Sequence, residues 1–126
     1  SVDLAYEAGK KILSKFDKSD IDYLIFVTET GDYRLPNSAN ILHERLGLRK
    51  DAGSIDIIQG CTGLPYALSM AKGLISADIS SNVLILIADA YSKIIYPKVI
   101  NLFSAWINLK NNLWHSGGWY KFYHLG

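Results

Sequence analysis

The sequence predicts an α/β protein in which helices flank a mostly parallel sheet. Three apolar, β-rich runs of strand length alternate with segments whose apolar residues recur at helical spacing. Such alternation favours a layered sheet with right-handed crossovers. The chain has 126 residues and is 49% hydrophobic, which is enough for one domain with a substantial core. Three strands are few for such a sheet, so we expect the fold to be incomplete.

The first two elements are expected to be a helix and a buried strand. Residues 2–16 place apolar side chains at steps of four with lysines between them, which indicates an amphipathic helix. Its predicted buried stripe consists of Leu4, Ala8, Ile12 and Phe16. The run 23–28 is too continuously apolar for a half-exposed strand. We therefore assign it to the interior of a sheet covered on both faces.

The following elements continue the alternation. A second helix is predicted from a cap at Asn37 or Ser38 to Leu46, with Gly47 as its stop. A strand is then expected at 55–59. After it come a helix that runs from the cysteine to about residue 75 and a last buried strand at 82–88.

The only cysteine, Cys61, falls on the turn between the strand at 55–59 and the helix that follows. The first N–H groups of a helix have no partner within the helix, and the positive end of its dipole favours a thiolate over a thiol. The pattern therefore indicates a nucleophile. The alternative is a buried, inert thiol, because free cysteine is among the most buried residue types. For Asp56, on the same strand, we expect structural hydrogen bonding.

Charge and composition argue against several classes of function. Thirteen basic and twelve acidic residues give a net charge of +1, which suggests neither nucleic acid nor an anionic membrane as a partner. No apolar run is long enough to span a bilayer, and the first residues do not resemble a signal peptide. A lone cysteine fits a reducing, cytoplasmic compartment. The spacing of Cys61, His43, His115 and His124 matches no zinc site, so no metal is expected.

Four stretches of the first 97 residues follow the order and spacing of one enzyme family's motifs. They are DIDYLIFVTET at 20–30, DYRLPNSANILHERLGL at 32–48, DIIQGCTGLPYALSMA at 56–71 and NVLILIADAYSKIIYP at 82–97. Together they resemble the N-terminal half of β-ketoacyl-acyl carrier protein synthase III, of the thiolase-like superfamily. The resemblance implies part of a thiolase-like layered fold, with a mixed, mostly parallel sheet flanked by helices.

The resemblance also implies an activity and its residues. Cys61 aligns with the cysteine that accepts an acyl group from acyl-coenzyme A. In the family, this acyl group then condenses with a malonyl group on acyl carrier protein in a decarboxylative Claisen reaction. No cofactor is implied. Gly60 and Gly63 would keep side chains away from a strained turn and from an approaching acyl chain. Leu35 aligns with a residue that reaches the acyl pocket of a dimer partner. The strand at 55–59 aligns with one that pairs antiparallel with its twin, which implies a homodimer.

The chain also departs from the family pattern. The family has an earlier strand in the middle of its sheet, so we expect a gap there. Nothing aligns with the family's catalytic histidine and asparagine, and we therefore expect no condensation. One alternative is a non-catalytic fragment or structural partner that folds by dimerising or docking. Another is a thiol hydrolase, which would need a histidine near Cys61; His43 is the candidate, although its surroundings favour an ordinary surface residue.

The last segment, 98–126, is expected to be distinct from the part that resembles the family, 1–97. It holds all three tryptophans and no acidic residue, and it shows no sustained periodicity. One hypothesis is that it is an out-of-frame or otherwise non-family sequence. Reading the gene downstream of codon 98 in each frame tests this hypothesis.

Overall fold

A computed structural model describes residues 1–93 of the chain. It contains helices α1 (Val2–Leu13), α2 (Ser38–Leu46) and α3 (Gly63–Ser76), and strands β1 (Tyr23–Val27), β2 (Gly53–Ile57) and β3 (Val83–Ile87). Short 3-10 turns occupy Lys18–Asp20, Gly60–Thr62 and Tyr91–Lys93. The predicted boundary at 97 and the segment 98–126 lie outside the described residues.

The three strands form a parallel sheet in the order β2-β1-β3. Tyr23 of β1 is paired with Gly53 of β2 on one side and with Val83 of β3 on the other, and each register continues for the full strand. The α/β class is thus confirmed. The expected gap in the sheet is wrong, because β1 pairs directly with β3. Direct pairing satisfies backbone N–H and C=O groups that a gap would leave unpaired in an apolar layer.

Both faces of the sheet are covered. Leu24 and Phe26 point to one face, where they are fully buried beneath α1 and α2. Ile25 and Val27 point to the other face and pack with α3. Since alternate residues of a strand face opposite sides, burial on both faces requires the continuous apolar run that the sequence shows at β1. The prediction of an interior strand is confirmed.

The first helix buries a different stripe from the predicted one. Its buried residues are Val2, Ala5 and Gly9, whereas Leu4 is 47% exposed and Phe16, beyond the end of the helix, is 44% exposed. Steps of four exceed the 3.6 residues of a helical turn, so a stripe drawn at that spacing drifts off the buried face. Small residues occupy the true face because α1 lies close to its neighbours. A Cβ at position 9 would lie 3.0 Å from the Leu46 side chain.

The second helix has the predicted bounds and ends. The Asn37 side chain accepts a hydrogen bond from the Asn40 N–H at 3.2 Å, and the helix ends at Gly47, whose φ of 65° lies in the left-handed region. Leu42 and Leu46 are on the buried face of this helix. Across residues 1–93, no helix has the length and hydropathy needed to cross a membrane.

Candidate active site

The carboxyl ends of the three strands meet at one edge of the sheet. Backbone bonds hold these ends together: the Thr28 N–H donates to Ile57 at 3.1 Å, and the Ala88 N–H donates to Val27 at 3.2 Å. The helices that follow β1 and β2 cover opposite faces. Open α/β sheets bind ligands outside the carboxyl ends of their strands, where successive connections leave in opposite directions. This edge is therefore the natural place for a site.

Cys61 lies at this edge, on the 3-10 turn Gly60–Thr62 that leads directly into α3. Its thiol is free and its side chain is exposed, so the predicted strand-to-helix turn is confirmed and the alternative of a buried thiol is wrong. The preceding strand ends at Ile57 and not at Gln59, because the chain leaves the sheet there and Ile58 is 68% exposed. An exposed sulfur on this turn is accessible to a substrate.

The backbone of the turn is defined by the residues on either side of Cys61. Gly60 has φ of 49°, a left-handed conformation that a side chain would disfavour. Thr62 directs both its hydroxyl and its N–H to the Gln59 carbonyl, at 2.8 and 3.2 Å. Within residues 1–93, the Cys61 N–H itself takes part in no hydrogen bond. That N–H is thus available to an oxygen that develops negative charge beside the sulfur.

Gly63 is required by packing within the protein. A Cβ at this position would lie 2.3 Å from Cγ1 of Val27, a side chain that is 2% exposed. The close approach that the sequence analysis assigned to an acyl chain is therefore made, in this structure, by α3 against β1. This contact sets how near the start of α3 lies to the carboxyl edge.

Two carboxylates at this edge were missed by the sequence analysis. Glu29 follows β1, and its Oε1 accepts a hydrogen bond from the Gly60 N–H, next to the cysteine. Asp89 follows β3, and one of its oxygens accepts from the Glu29 N–H at 2.7 Å, and also from the Thr28 hydroxyl and from the N–H and hydroxyl of Thr30 at 3.0–3.1 Å. Their position just after buried parallel strands was the signal that could have found them.

Leu35 and Asp56 lie on either side of the start of α2. Leu35 is 88% exposed, in the loop before the helix, and its peptide bond to Pro36 is cis. Asp56 of β2 accepts hydrogen bonds from the first two N–H groups of α2, those of Ser38 at 2.8 Å and Ala39 at 2.6 Å. The structural role expected of Asp56 is thus confirmed.

The structure does not bring His43 to the cysteine. It lies in the second half of α2, on the face of the sheet opposite α3, and α2 begins at the carboxyl edge and runs away from it. The residue is half-buried, and its Nε2 is buried with no hydrogen-bond partner among residues 1–93, so the expectation of an ordinary surface histidine is wrong. His115 and His124 lie outside the described residues. Residues 1–93 contain no cluster of three side chains suited to a metal ion.

Comparisons with known proteins bear on this site. The family described as 3-oxoacyl-[acyl-carrier-protein] synthase III matches residues 55–108. The β-ketoacyl-[acyl-carrier-protein] synthase III of Staphylococcus aureus strain Newman is 42% identical over 94 residues, which are 73% of this chain and 30% of that protein. The synthase III 2 of Halalkalibacterium halodurans is 34% identical over 94 residues, covering 73% of this chain and 28% of that protein.

A solved structure supports the same assignment. The synthase III of Pseudomonas aeruginosa PAO1 superposes with a TM-score of 0.74 at 30% identity, over 82% of this chain and 32% of that one. In sequence and in fold, the chain is similar to one segment of these synthase III enzymes. It spans less than a third of the length of these synthase III relatives. Those relatives are acyl-condensing enzymes, that is, transferases.

Proposed function

We propose that this synthase III-type chain accepts an acyl group on Cys61 from acyl-coenzyme A. The observation that carries the proposal is the exposed Cys61 at the start of α3, on the carboxyl edge of a parallel sheet. Sequence identity to synthase III enzymes across this same region supports it. The left-handed φ of Gly60 and the close approach of Gly63 to Val27 also support it, because both positions lack a side chain beside the cysteine turn.

The proposed step is a thioester exchange. The Cys61 thiolate attacks the carbonyl carbon of the acyl thioester, a carbon–sulfur bond forms, and the carbonyl oxygen becomes an oxyanion. The Cys61 N–H donates to that oxyanion. When the intermediate collapses, the bond to the coenzyme A sulfur breaks, and the departing thiolate takes up a proton from water. Acyl-Cys61 and free coenzyme A are the products, and no cofactor is consumed.

For condensation, the proposed partner is malonyl-acyl carrier protein; the names of the synthase III relatives include the acyl carrier protein. Within the described residues the only histidine, His43, is on the opposite face from α3, so residues 1–93 supply no imidazole beside Cys61 that could polarise a malonyl thioester. We therefore limit the proposal for this chain to acylation of Cys61, without carbon–carbon bond formation.

Acylation is tested by intact mass. The purified chain is incubated with butyryl-coenzyme A, and we expect one adduct of butyryl mass that hydroxylamine removes. Cys61→Ala provides the control. An absent adduct in the parent, or an adduct that persists in Cys61→Ala, would overturn the proposal. Addition of malonyl-acyl carrier protein to the acylated chain is expected to release no condensation product.

The proposal extends to a cytoplasmic homodimer that forms through β2. In the described sheet β2 is an edge strand that pairs only with β1, which leaves its outer backbone groups available to a twin strand. Leu35 would enter the partner's acyl pocket, and its 88% exposure suits a side chain that reaches outward. Leu35→Asp is expected to shift the sedimentation equilibrium to monomer. Ile79→Asp, at another exposed apolar residue (66%), is the matched control and is expected to remain dimeric.

A non-catalytic structural role is the second candidate. It is favoured by the two sheet edges, at β2 and β3, that no strand covers within residues 1–93. A chain that forms a stable assembly but is not acylated at Cys61 would support this candidate over the enzyme.

A further inference from the structure

The geometry points to Glu29 as the residue that positions the Cys61 turn for acyl transfer. The inference rests on the acyl-accepting role proposed for Cys61. Its basis is the hydrogen bond from the Gly60 N–H to the Glu29 carboxylate. Gly60 directly precedes the cysteine, and its left-handed φ of 49° determines the direction in which the chain enters residue 61.

The Glu29 carboxylate contacts the backbone of the cysteine turn directly. A hypothetical Cβ on Gly60 would lie 3.5 Å from the same carboxylate oxygen, so Glu29 lies against the backbone of the turn and not beyond it. On the other side of the cysteine, Thr62 is bonded to the Gln59 carbonyl. The residues on both sides of Cys61 are thus fixed: Thr62 within its own turn, and Gly60 by the Glu29 side chain from the loop after β1.

Glu29 is itself held in place by the end of β3. Its N–H donates to an Asp89 oxygen at 2.7 Å, and the same oxygen accepts from the Thr28 hydroxyl at 3.0 Å. The Thr28 side chain is 2% exposed and therefore anchored in the core. A continuous series of hydrogen bonds leads from β3 through Glu29 to the residue before the nucleophile. Glu29 is consequently a positioning residue, acting through the Gly60 backbone on the direction of the Cys61 N–H.

The contact has a specific consequence for catalysis. An N–H group stabilises an oxyanion only when it points at the position that the oxygen will occupy, and misplacement by about 1 Å costs about 100-fold in rate. Alkylation by iodoacetamide forms no oxyanion and needs only the thiolate. Loss of Glu29 should therefore slow acylation much more than alkylation.

The experiment compares Glu29→Ala, Glu29→Gln and Glu29→Asp in the full chain, using butyryl-coenzyme A and iodoacetamide as probes of Cys61. For Glu29→Ala we expect the limiting acylation rate to fall about 10–100-fold, with an unchanged half-saturating acyl-coenzyme A concentration. The alkylation rate should change less than about threefold. Glu29→Gln should recover most of the acylation rate, because its carboxamide oxygen still accepts from Gly60. Glu29→Asp, one methylene shorter, should behave like Glu29→Ala.

Glu44→Ala is the matched control, because Glu44 is an exposed glutamate on α2 and should leave both rates unchanged. The inference is overturned if Glu29→Ala acylates at the parent rate, or if Glu29→Gln is as slow as Glu29→Ala. Unchanged thermal unfolding of each variant by circular dichroism shows that the rates refer to folded protein.

A second readout does not depend on chemistry at the sulfur. Exchange of the Gly60 amide hydrogen, followed by NMR, should be about three- to tenfold slower in the parent and in Glu29→Gln than in Glu29→Ala. Equal exchange in all three would overturn the inference. If the amide responds as expected but the parent is never acylated, the proposed function has failed and Glu29 is only a structural support of the turn.

Discussion

A glycine-to-alanine substitution is expected to have opposite effects on stability at two positions of α3, because Gly63 is packed against Val27 and Gly73 is not. In Gly63→Ala the new methyl group would lie 2.3 Å from Val27 Cγ1, whereas carbon atoms pack at about 3.5–4.0 Å. Val27 cannot easily turn away, because it is 2% exposed and β-branched side chains have few χ1 rotamers. The start of α3 must therefore move by more than about 1 Å from the sheet.

Overpacking of this kind costs about 1–3 kcal/mol of unfolding free energy. The better helix propensity of alanine offsets less than about 1 kcal/mol, since Gly63 is the first residue of its helix. Gly73→Ala is the matched control. Nothing lies within 4 Å of a Cβ at that position, and it lies inside the helix, so this variant should gain about 0.5–1 kcal/mol.

The assay is urea denaturation followed by circular dichroism, together with the thermal midpoint, which moves by about 4–8 °C per kcal/mol in a domain of this size. A double-mutant cycle with Val27→Ala isolates the contact, because that variant removes the methyl group that Gly63→Ala would meet. We expect a favourable coupling energy of about 1–2 kcal/mol. Equal stability of Gly63→Ala and Gly73→Ala, or strict additivity in the cycle, would refute the reasoning.

Two further predictions concern carboxylates away from the cysteine. The pKa of Asp22 is lowered from 3.8, first by hydrogen bonds from the backbone N–H groups of Asn82 and Ser81 and then by the charge of Arg49. The ionised Asp22 carboxylate therefore stabilises the fold above about pH 4, and this contribution is lost as pH falls through the lower folded pKa. In acid denaturation, the stability difference between the parent and Asp22→Asn should accordingly shrink below about pH 4. Asp56→Ala leaves the first two N–H groups of α2 without their acceptor and should cost about 2–3 kcal/mol in urea denaturation, with Asp56→Asn intermediate; equal losses would contradict this.

Where local chemistry determines structure, the sequence predicts it well. Asn37 and Gly47 delimit α2 because a side-chain cap and a left-handed glycine are properties of single residues. The turn at Cys61 is predicted for the same reason, since a strand, a glycine, a cysteine and a helix start follow one another within a few residues. The continuous apolar run of β1 correctly indicated burial on both faces.

Features that depend on distant parts of the chain could not be predicted in this way. The buried face of α1 is determined by where Leu46 and the sheet lie. Because α1 packs closely against them, the small residue Gly9 lies on the buried face and the larger Leu4 lies outside it. The direct pairing of β1 with β3 depends on which strands are available, which no local pattern records. The hydrogen bond that the Gly60 N–H donates to Glu29 joins residues 31 positions apart, so no local pattern in the sequence links them.

The Asp89 oxygen that holds the Glu29 loop has a consequence for the order of folding. Asp89 lies 60 residues after Glu29, whose N–H donates to it, and it follows the last strand of the described sheet. During synthesis the N-terminal elements emerge first, and pairing between distant parallel strands is slow. Thus α1, β1, α2 and β2 can assemble while one edge of β1 is still unpaired, before β3 is added. The cysteine turn would then be synthesised before Asp89, and it would reach its final geometry only after Asp89 binds the Glu29 loop.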